Sequence, residues 1–231
     1  MTICTVVMET LAQILRTAAW ARTLTEKQLQ RVIAEVGEHT FAAGATVCQE
    51  GLVVDSWTGV LEGLVKLHTV FPDGRSVTFT GVPTGGWFGE GSLLKAEPRK
   101  YGATALRESR IARMPKSTFE WLLDNSIGFN RFVLLQINER LGQFIALVGV
   151  GRLPDPDARI ARCLGALFNP ILYPGAGLRL AISQEEIGFL SGVSRQRANQ
   201  ALQKLEREGL LMVEYGGIRV LDLERLRTYG P

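Results

Sequence analysis

Residues 183–208, SQEEIGFLSGVSRQRANQALQKLERE, constrain the fold more than any other stretch of this chain. Ser183 followed by Glu186 is a capping-box start, in which the hydroxyl accepts an amide and the carboxylate reaches back. Ile187 and Leu190 give the first helix an apolar side. Ser191-Gly192-Val193 breaks it, because glycine tolerates the angles of a sharp turn. Ser194 is the next N-cap candidate. Ala198, Leu202 and Leu205 then recur at helical spacing and predict a buried stripe. The opposite face carries Gln196, Gln200 and Gln203, with Arg195 and Asn199 at its N-terminal end. Such a face suits the reading of base edges in a major groove, where Arg pairs with guanine and Gln or Asn with adenine. A helical hairpin with a merely solvated polar face is the alternative.

Residues 210–215 and 218–221 are two apolar runs around Gly216-Gly217, which predicts a β-hairpin. Two helices followed by a hairpin make a winged helix. The segment ISQEEIGFLSGVSRQRANQALQKLEREGLL resembles the DNA-binding domain of the Crp/Fnr family of bacterial transcription regulators. Ser183, Glu186, Ile187, Gly188, Val193, Ser194, Arg195, Leu202, Leu205 and Leu210 carry the resemblance. It extends over about residues 40–222.

The chain has 231 residues, 46% of them hydrophobic, and a formal net charge of only +3. Nucleic-acid binding must therefore come from a local surface rather than from bulk charge. Arg195, Arg197, Lys204 and Arg207 supply one, partly offset by Glu206 and Glu208. No apolar run is seen to approach the ~20 residues of a membrane helix. The start, MTICTVVMETLAQ, lacks a basic region before its apolar residues, so no signal peptide is read and a cytoplasmic protein without a membrane partner is expected. Cys4, Cys48 and Cys163 are far apart, with no CxxC pair, which argues against a zinc or iron–sulfur site. Ordinary thiols are expected, with redox sensing by Cys4 or Cys48 as the alternative. A lone His68 on a strand reads as structural. No GxSxG, HExxH or Walker loop is present, and no enzyme is expected.

Residues 1–38 read as helical, with Thr25 capping a helix from Glu26 to Val36. From Phe41 onward glycines recur between short strand-like runs at 60–61, 64–70, 76–80, 103–106 and 110–114, and Pro72-Asp73-Gly74 has hairpin-turn chemistry. Many short strands with regular turns imply an all-β roll. This part resembles the cyclic-nucleotide-binding jelly roll of the same family through Gly44, Glu50-Gly51, Gly63 and Phe88-Gly89-Glu90. In members that bind cyclic nucleotides, the resemblance implies a Glu that accepts a ribose hydroxyl and a following Arg-Ser or Arg-Thr that neutralises the phosphate. Gly89-Glu90 is in place. Counted without gaps, Lys100-Tyr101 stands where Arg-Ser would fall, and Arg99 comes one residue early. The expected effector site is Gly89, Glu90, Gly91, Ser92, Arg99, Lys100 and Tyr101. Its ligand is expected to be a small molecule other than a standard cyclic nucleotide, or none, with cyclic AMP or cyclic GMP as the alternative. Glu90 is otherwise expected to pair locally with Arg99 or Lys100.

Ser117 or Thr118 is the expected cap of a helix through Leu123. A long helix follows from about Phe129 to Val150. Leu134, Ile137, Leu141, Phe144 and Val148 step by three and four along it, a coiled-coil seam assigned to a homodimer interface. Family members that bind cyclic AMP offer Thr and Ser from this helix to the adenine; here the place falls near Phe144-Ile145, both apolar. Gly149, Gly151 and Pro154 mark a hinge, and Asp155-Pro156 starts the next helix. The expected fold is α+β: an effector-sensing jelly roll with N-terminal helices (1–128), a dimerisation helix and hinge (129–151), and a winged helix-turn-helix (152–231).

The resemblance implies a homodimeric transcription regulator that reads near-palindromic double-stranded DNA and works with RNA polymerase. Ser183, Gln184, Ser194, Arg195, Gln196, Arg197, Asn199, Gln200 and Lys204 are the expected DNA contacts. A regulatory module acting through protein–protein contacts is the alternative.

Overall fold

The computed structural model describes residues 9–175 and 177–230. Cys4, one of the two cysteines of the redox reading, and the first residues of the chain, on which the signal-peptide reading falls, lie outside them. The N-terminal part holds helices α1 (Leu11–Thr17) and α2 (Glu26–Glu35) on either side of a 3-10 turn at Ala19–Thr23. Thr25 caps α2 with a full capping box, as expected. The helical reading to residue 38 needs correction. Val36 leaves the helix, and Gly37–Phe41 is already strand β1, paired along its length with β8 (Ser109–Pro115).

The roll is two antiparallel sheets. One has the order β1-β8-β3-β6, with β3 at Ser56–Glu62 and β6 at Trp87–Phe88. The other has the order β2-β7-β4-β5, with β2 at Thr46–Cys48, β7 at Gly102–Ala105, β4 at Leu64–Val70 and β5 at Ser76–Pro83. The β4–β5 hairpin turns at Pro72-Asp73-Gly74, where the Gly74 amide donates to the Phe71 carbonyl and Gly74 takes φ +82°. Gly63, at φ +112°, joins β3 to β4 with its backbone against Ser109, and a Cβ there would collide with that side chain. Val60, Val65, Leu67, Phe88, Ala103 and Ile111 pack between the sheets.

A second core closes one end of the roll. Trp20, Trp57, Trp87, Phe119 and Phe129 stack largely edge to face, with centroids 4.5–6.4 Å apart. They come from the 3-10 turn, β3, β6 and helices α4 (Lys116–Asn125) and α5 (Ile127–Gly151), and so bind the N-terminal helices, the roll and the long helix together. Neither Ser117 nor Thr118 caps α4. Pro115 precedes it, and the buried Thr118 hydroxyl donates to Glu35 at 2.5 Å instead. Ser126 alone separates α4 from α5 and caps the latter through the Phe129 amide.

Helix α5 begins earlier and ends later than expected. It runs through Gly149, and the connection to α6 (Pro156–Ala166) is residues 152–155. Its inward residues are Phe129, Val133, Gln136, Arg140 and Gln143. Leu134, Leu141 and Val148 face solvent at 67%, 57% and 59% exposure, together with Ile127, Leu135 and Ile145. Ile137 and Phe144, assigned to the same seam from the spacing, turn partly toward their own chain. Ile137 packs on the aromatic core, and Phe144 meets Phe79 edge on. By length and composition α5 is, among the described residues, the one helix apolar enough to cross a membrane, so the expectation that no run comes near that length is corrected. Its buried face carries the arginine and two glutamines just named.

The C-terminal part comprises α6, the short strand β9 (Arg179–Leu180), α7 (Gln184–Ser191), α8 (Arg195–Arg207), the hairpin β10 (Leu211–Glu214) and β11 (Gly217–Val220), and α9 (Leu223–Arg227). Asp155 caps α6 with Pro156 at the first helical position, as expected. In α9, Leu226 is fully buried in the same core as Ile160, Leu164, Leu202 and Leu205. Leu64 of the roll belongs to that core too, so the two halves share packed side chains. Truncating Phe129 to Ala should cost about 3–5 kcal/mol, the usual figure for a buried phenylalanine whose site cannot collapse. All four tryptophans lie before residue 129, so urea unfolding followed by tryptophan fluorescence reads the loss in this half of the molecule.

Candidate effector cradle and nucleic-acid interface

Strand β6 is followed by Gly89, which takes φ +97° and hands the chain to the short helix α3 (Glu90–Leu94). Two observations explain the glycine. The left-handed angle favours it, and a Cβ would stand 2.8 Å from Arg99 Nη1. Arg99 is 6% exposed, and its Nη1 is buried with no acceptor among the described residues. A buried guanidinium with an unused N–H therefore lies across the start of α3. Ser92 of α3 is also buried, while space is open above Gly91.

Glu90 is not paired with Arg99 or Lys100. Its Oε1 accepts from Arg140 Nε of α5 at 3.0 Å, and its Oε2 from Trp57 Nε1 at 3.4 Å. Arg140 Nη2 and Gln136 Nε2 both donate to the Trp87 carbonyl, at 2.6 and 2.9 Å. The pair is buried at both ends, and the Glu90 charge raises the Arg140 pKa against the opposing effect of burial. Sequence reasoning missed this link. The signal was a polar series at 136, 140 and 143, stepping by four and three on the side of α5 opposite the apolar seam.

Lys100, placed by ungapped counting at the phosphate-holding position, points to solvent and pairs with Glu97 at 3.4 Å. Arg99 is the residue turned inward, so the expected order of the two is reversed. Tyr101 packs against the roll core, and burial, with the nearby Glu90 charge, pushes its phenol up to about 12. Gln143 shares hydrogen bonds with the Tyr173 hydroxyl at 3.2 Å.

In the C-terminal part the capping box of α7 forms as read. The Glu186 amide donates to Ser183 Oγ at 3.2 Å, and the Ser183 amide to Glu186 Oε2 at 2.5 Å. Gly192 ends α7 at φ +65°. Gly188 lets the turn approach closely, since a Cβ there would meet the Val193 carbonyl at 2.8 Å. Ser194 caps α8, and Ala198, Ala201, Leu202 and Leu205 are buried beneath it. Arg195, Gln196 and Gln200 project from the first two turns of α8, exposed and without a partner among the described residues. The other candidates differ. Asn199 accepts from Gln184 at 2.9 Å. Arg197 and Lys204 both pair with the buried Asp157 of α6, at 2.5 and 3.1 Å, which holds α8 on α6. Tyr215, at the tip of the β10–β11 wing, is fully exposed, a residue the sequence reading passed over.

The two regions are joined by a direct contact. Arg107, in the turn after β7, donates to both Glu186 oxygens at 2.9 and 2.7 Å. The carboxylate that caps the first helix of the motif is thus also held by the roll. Among the described residues no group of three or more His, Cys, Asp or Glu is arranged to hold a metal ion. Cys48 and Cys163 are buried free thiols, and burial pushes Cys163 up to about 11. His68 Nε2 shares a hydrogen bond with Thr104 Oγ1 at 2.8 Å, and burial lowers its pKa.

The Tyr101 shift gives a pH dependence. A phenol held neutral in the fold and ionising earlier when unfolded adds stability that is full below pH 10 and is lost as pH rises through about 12. The Tyr101→Phe variant should therefore lose less stability between pH 10 and 12 than the parent, measured by urea midpoints at both ends of that range.

Two family models match the chain side by side: a cyclic nucleotide-binding domain over residues 38–126 and a Crp-like helix-turn-helix domain over residues 158–229. The CRP-like cAMP-activated global transcriptional regulator of Mycobacterium tuberculosis is 29% identical over 209 residues, covering 87% of this chain and 88% of that protein. The nitrogen fixation regulation protein FixK of Bradyrhizobium diazoefficiens is 26% identical, covering 93% and 90%. The solved structure of FixK2 from Bradyrhizobium japonicum superposes with a TM-score of 0.67 at 19% identity, over 85% of this chain and 98% of that one. With both domain types in the family's order, on the fold and helix-turn-helix geometry described above, the chain belongs to the Crp/Fnr family of transcription regulators.

Proposed function

We propose that the chain is a cytoplasmic homodimer that reads a near-palindromic site on double-stranded DNA, contacts RNA polymerase there, and is set by a small anionic effector in the roll. The observation that carries the effector reading is Arg99, a buried cation with an unused N–H against Gly89 at the start of α3. A buried charge without a counter-ion is costly, and a phosphate or carboxylate held by Arg99 and the first amides of α3 would relieve it. The cAMP-activated relative makes cyclic nucleotides the first compounds to try. Against a close copy of that mode, Glu90 is already engaged by Arg140, and Phe144 and Ile145 offer an adenine no polar group. Lys100, on solvent, has no part in this site.

The dimer reading rests on the outer face of α5. Ile127, Leu134, Leu141 and Val148 recur every seven residues and all are exposed, and so large an apolar stripe on one helix calls for a partner. Residues 1–128 and 152–231 would then form the sensing and DNA-binding units, joined by α5 and the short connection after it. Two copies of α8 about 34 Å apart would meet successive major grooves. Arg195, Gln196 and Gln200 would read bases. Ser183, Gln184 and Ser194 would hold phosphates, with Tyr215 reaching the backbone from the wing. Arg197, Asn199 and Lys204 would act mainly by positioning α8.

Leu141→Glu should shift the chain from dimer to monomer in sedimentation velocity at micromolar concentration. An unchanged dimer would overturn the α5 interface. Arg195→Ala should weaken target DNA binding by ~1–3 kcal/mol and relax base preference at its position, measured by anisotropy on a duplex library. Thermal shift with cyclic AMP, cyclic GMP and inorganic phosphate tests the cradle. At least one should raise Tm, and Arg99→Gln should abolish that rise. Stabilisation that survives Arg99→Gln would contradict the assignment.

A further inference from the structure

A cavity of about 1080 Å³ opens between the β4–β5 hairpin, the end of α5 and the turn from α7 to α8. That lies just above the ~300–1,000 Å³ of small-molecule sites. Its walls are mainly apolar: Val77 and Phe79 from β5, Phe144 and Leu147 from α5, Phe189 and Val193 from the motif. Its charged residues are all cations, namely Lys66, Lys100 and Arg159, with no carboxylate among the lining side chains. Arg159 Nε is buried and has no acceptor among the described residues, although its Nη1 donates to the Leu153 carbonyl at 3.3 Å. Lys66 Nζ stands 5.3 Å from the Phe189 ring, and Lys100 Nζ is 3.4 Å from Glu97.

From this pairing of an apolar chamber with a charged lining made only of cations we infer that the cavity is a second ligand site, for an amphipathic organic anion with an apolar body and one carboxylate. The hydrocarbon would lie among Phe79, Phe144, Leu147 and Phe189, removing apolar surface from water on both partners. The carboxylate would accept from Arg159 Nε, an N–H that is otherwise buried unmet and so costs free energy in the empty cavity. Lys66 and Lys100 add long-range attraction at the rim. The site is separate from the Arg99 cradle. Its walls come from the roll, α5 and the turn that precedes α8. An occupant therefore binds best when these three stand together, and shifts the population toward that arrangement.

Decanoate is the probe. Titration calorimetry with the full chain should give one site per chain, and both methyl decanoate and the Arg159→Gln variant should bind at least tenfold more weakly. Phe79→Glu, which places a carboxylate in the chamber, should do the same, and circular dichroism melts confirm that both variants are folded. Arg99→Gln should leave decanoate binding unchanged, which separates this site from the cradle. Absence of decanoate binding to the folded parent would overturn the inference. So would equal affinity of the parent, Arg159→Gln and Phe79→Glu, or a loss caused by Arg99→Gln.

Discussion

The buried ion pair between Glu90 and Arg140 fixes more of this molecule than any other polar contact. Both groups are almost withdrawn from water, 4% and 9% exposed as side chains. Such a pair is held best when its geometry is good and its remaining lone pairs and protons find partners. Trp57 Nε1 and the Trp87 carbonyl take up most of them, leaving Arg140 Nη1 buried without an acceptor among the described residues, and both tryptophans belong to the aromatic cluster that closes the roll. The pair thereby sets the rotation of α5 about its own axis. With residues 136, 140 and 143 inward, residues 127, 134, 141 and 148 must face out. The same carboxylate opens α3, whose first residues lie against Arg99. The Glu90 carboxylate thus ties the start of α3 directly to the phase of α5.

From α5 and the roll the constraint passes to the C-terminal part mainly by packing. Leu64 sits among the side chains under α8, Gly81 of β5 lies 3.1–3.2 Å, measured from its missing Cβ, from Leu167 and Leu190, and Gln143 meets Tyr173. Arg107 adds the two bonds to Glu186. Packed interfaces of this kind have discrete arrangements and do not deform smoothly, so the proposed effector would act by favouring one of them. The exposed Arg195, Gln196 and Gln200 stand at the far end of that chain of contacts.

The parts legible in the sequence were those whose causes are local. The capping boxes at Thr25 and Ser183, the left-handed Gly192, the cap at Ser194 and the spacing of Ala198, Leu202 and Leu205 are each settled within a few residues. The parts that were not legible depend on partners far along the chain. Glu90 and Arg140 are 50 residues apart, and nothing near Glu90 announces the arginine. Counting without gaps put Lys100 in the cradle because it ignored how Pro98 and Arg99 are laid down against residues 51–53. Strand β1 was missed because it is a polar edge strand with little alternation. On α5 the spacing gave the right apolar side but not its edges, since the aromatic core claims Ile137 and Phe79 claims Phe144.

The most direct test of the account is the salt dependence of binding to heterogeneous double-stranded DNA, measured by fluorescence anisotropy between 50 and 300 mM salt. A protein that docks through phosphate contacts from two copies of the motif must release counter-ions. The logarithm of its association constant should then fall linearly with log salt, with a slope steeper than about −3. Absence of binding at the lowest salt, with the chain folded and dimeric, would contradict the account and leave the winged helix as a surface for a protein partner.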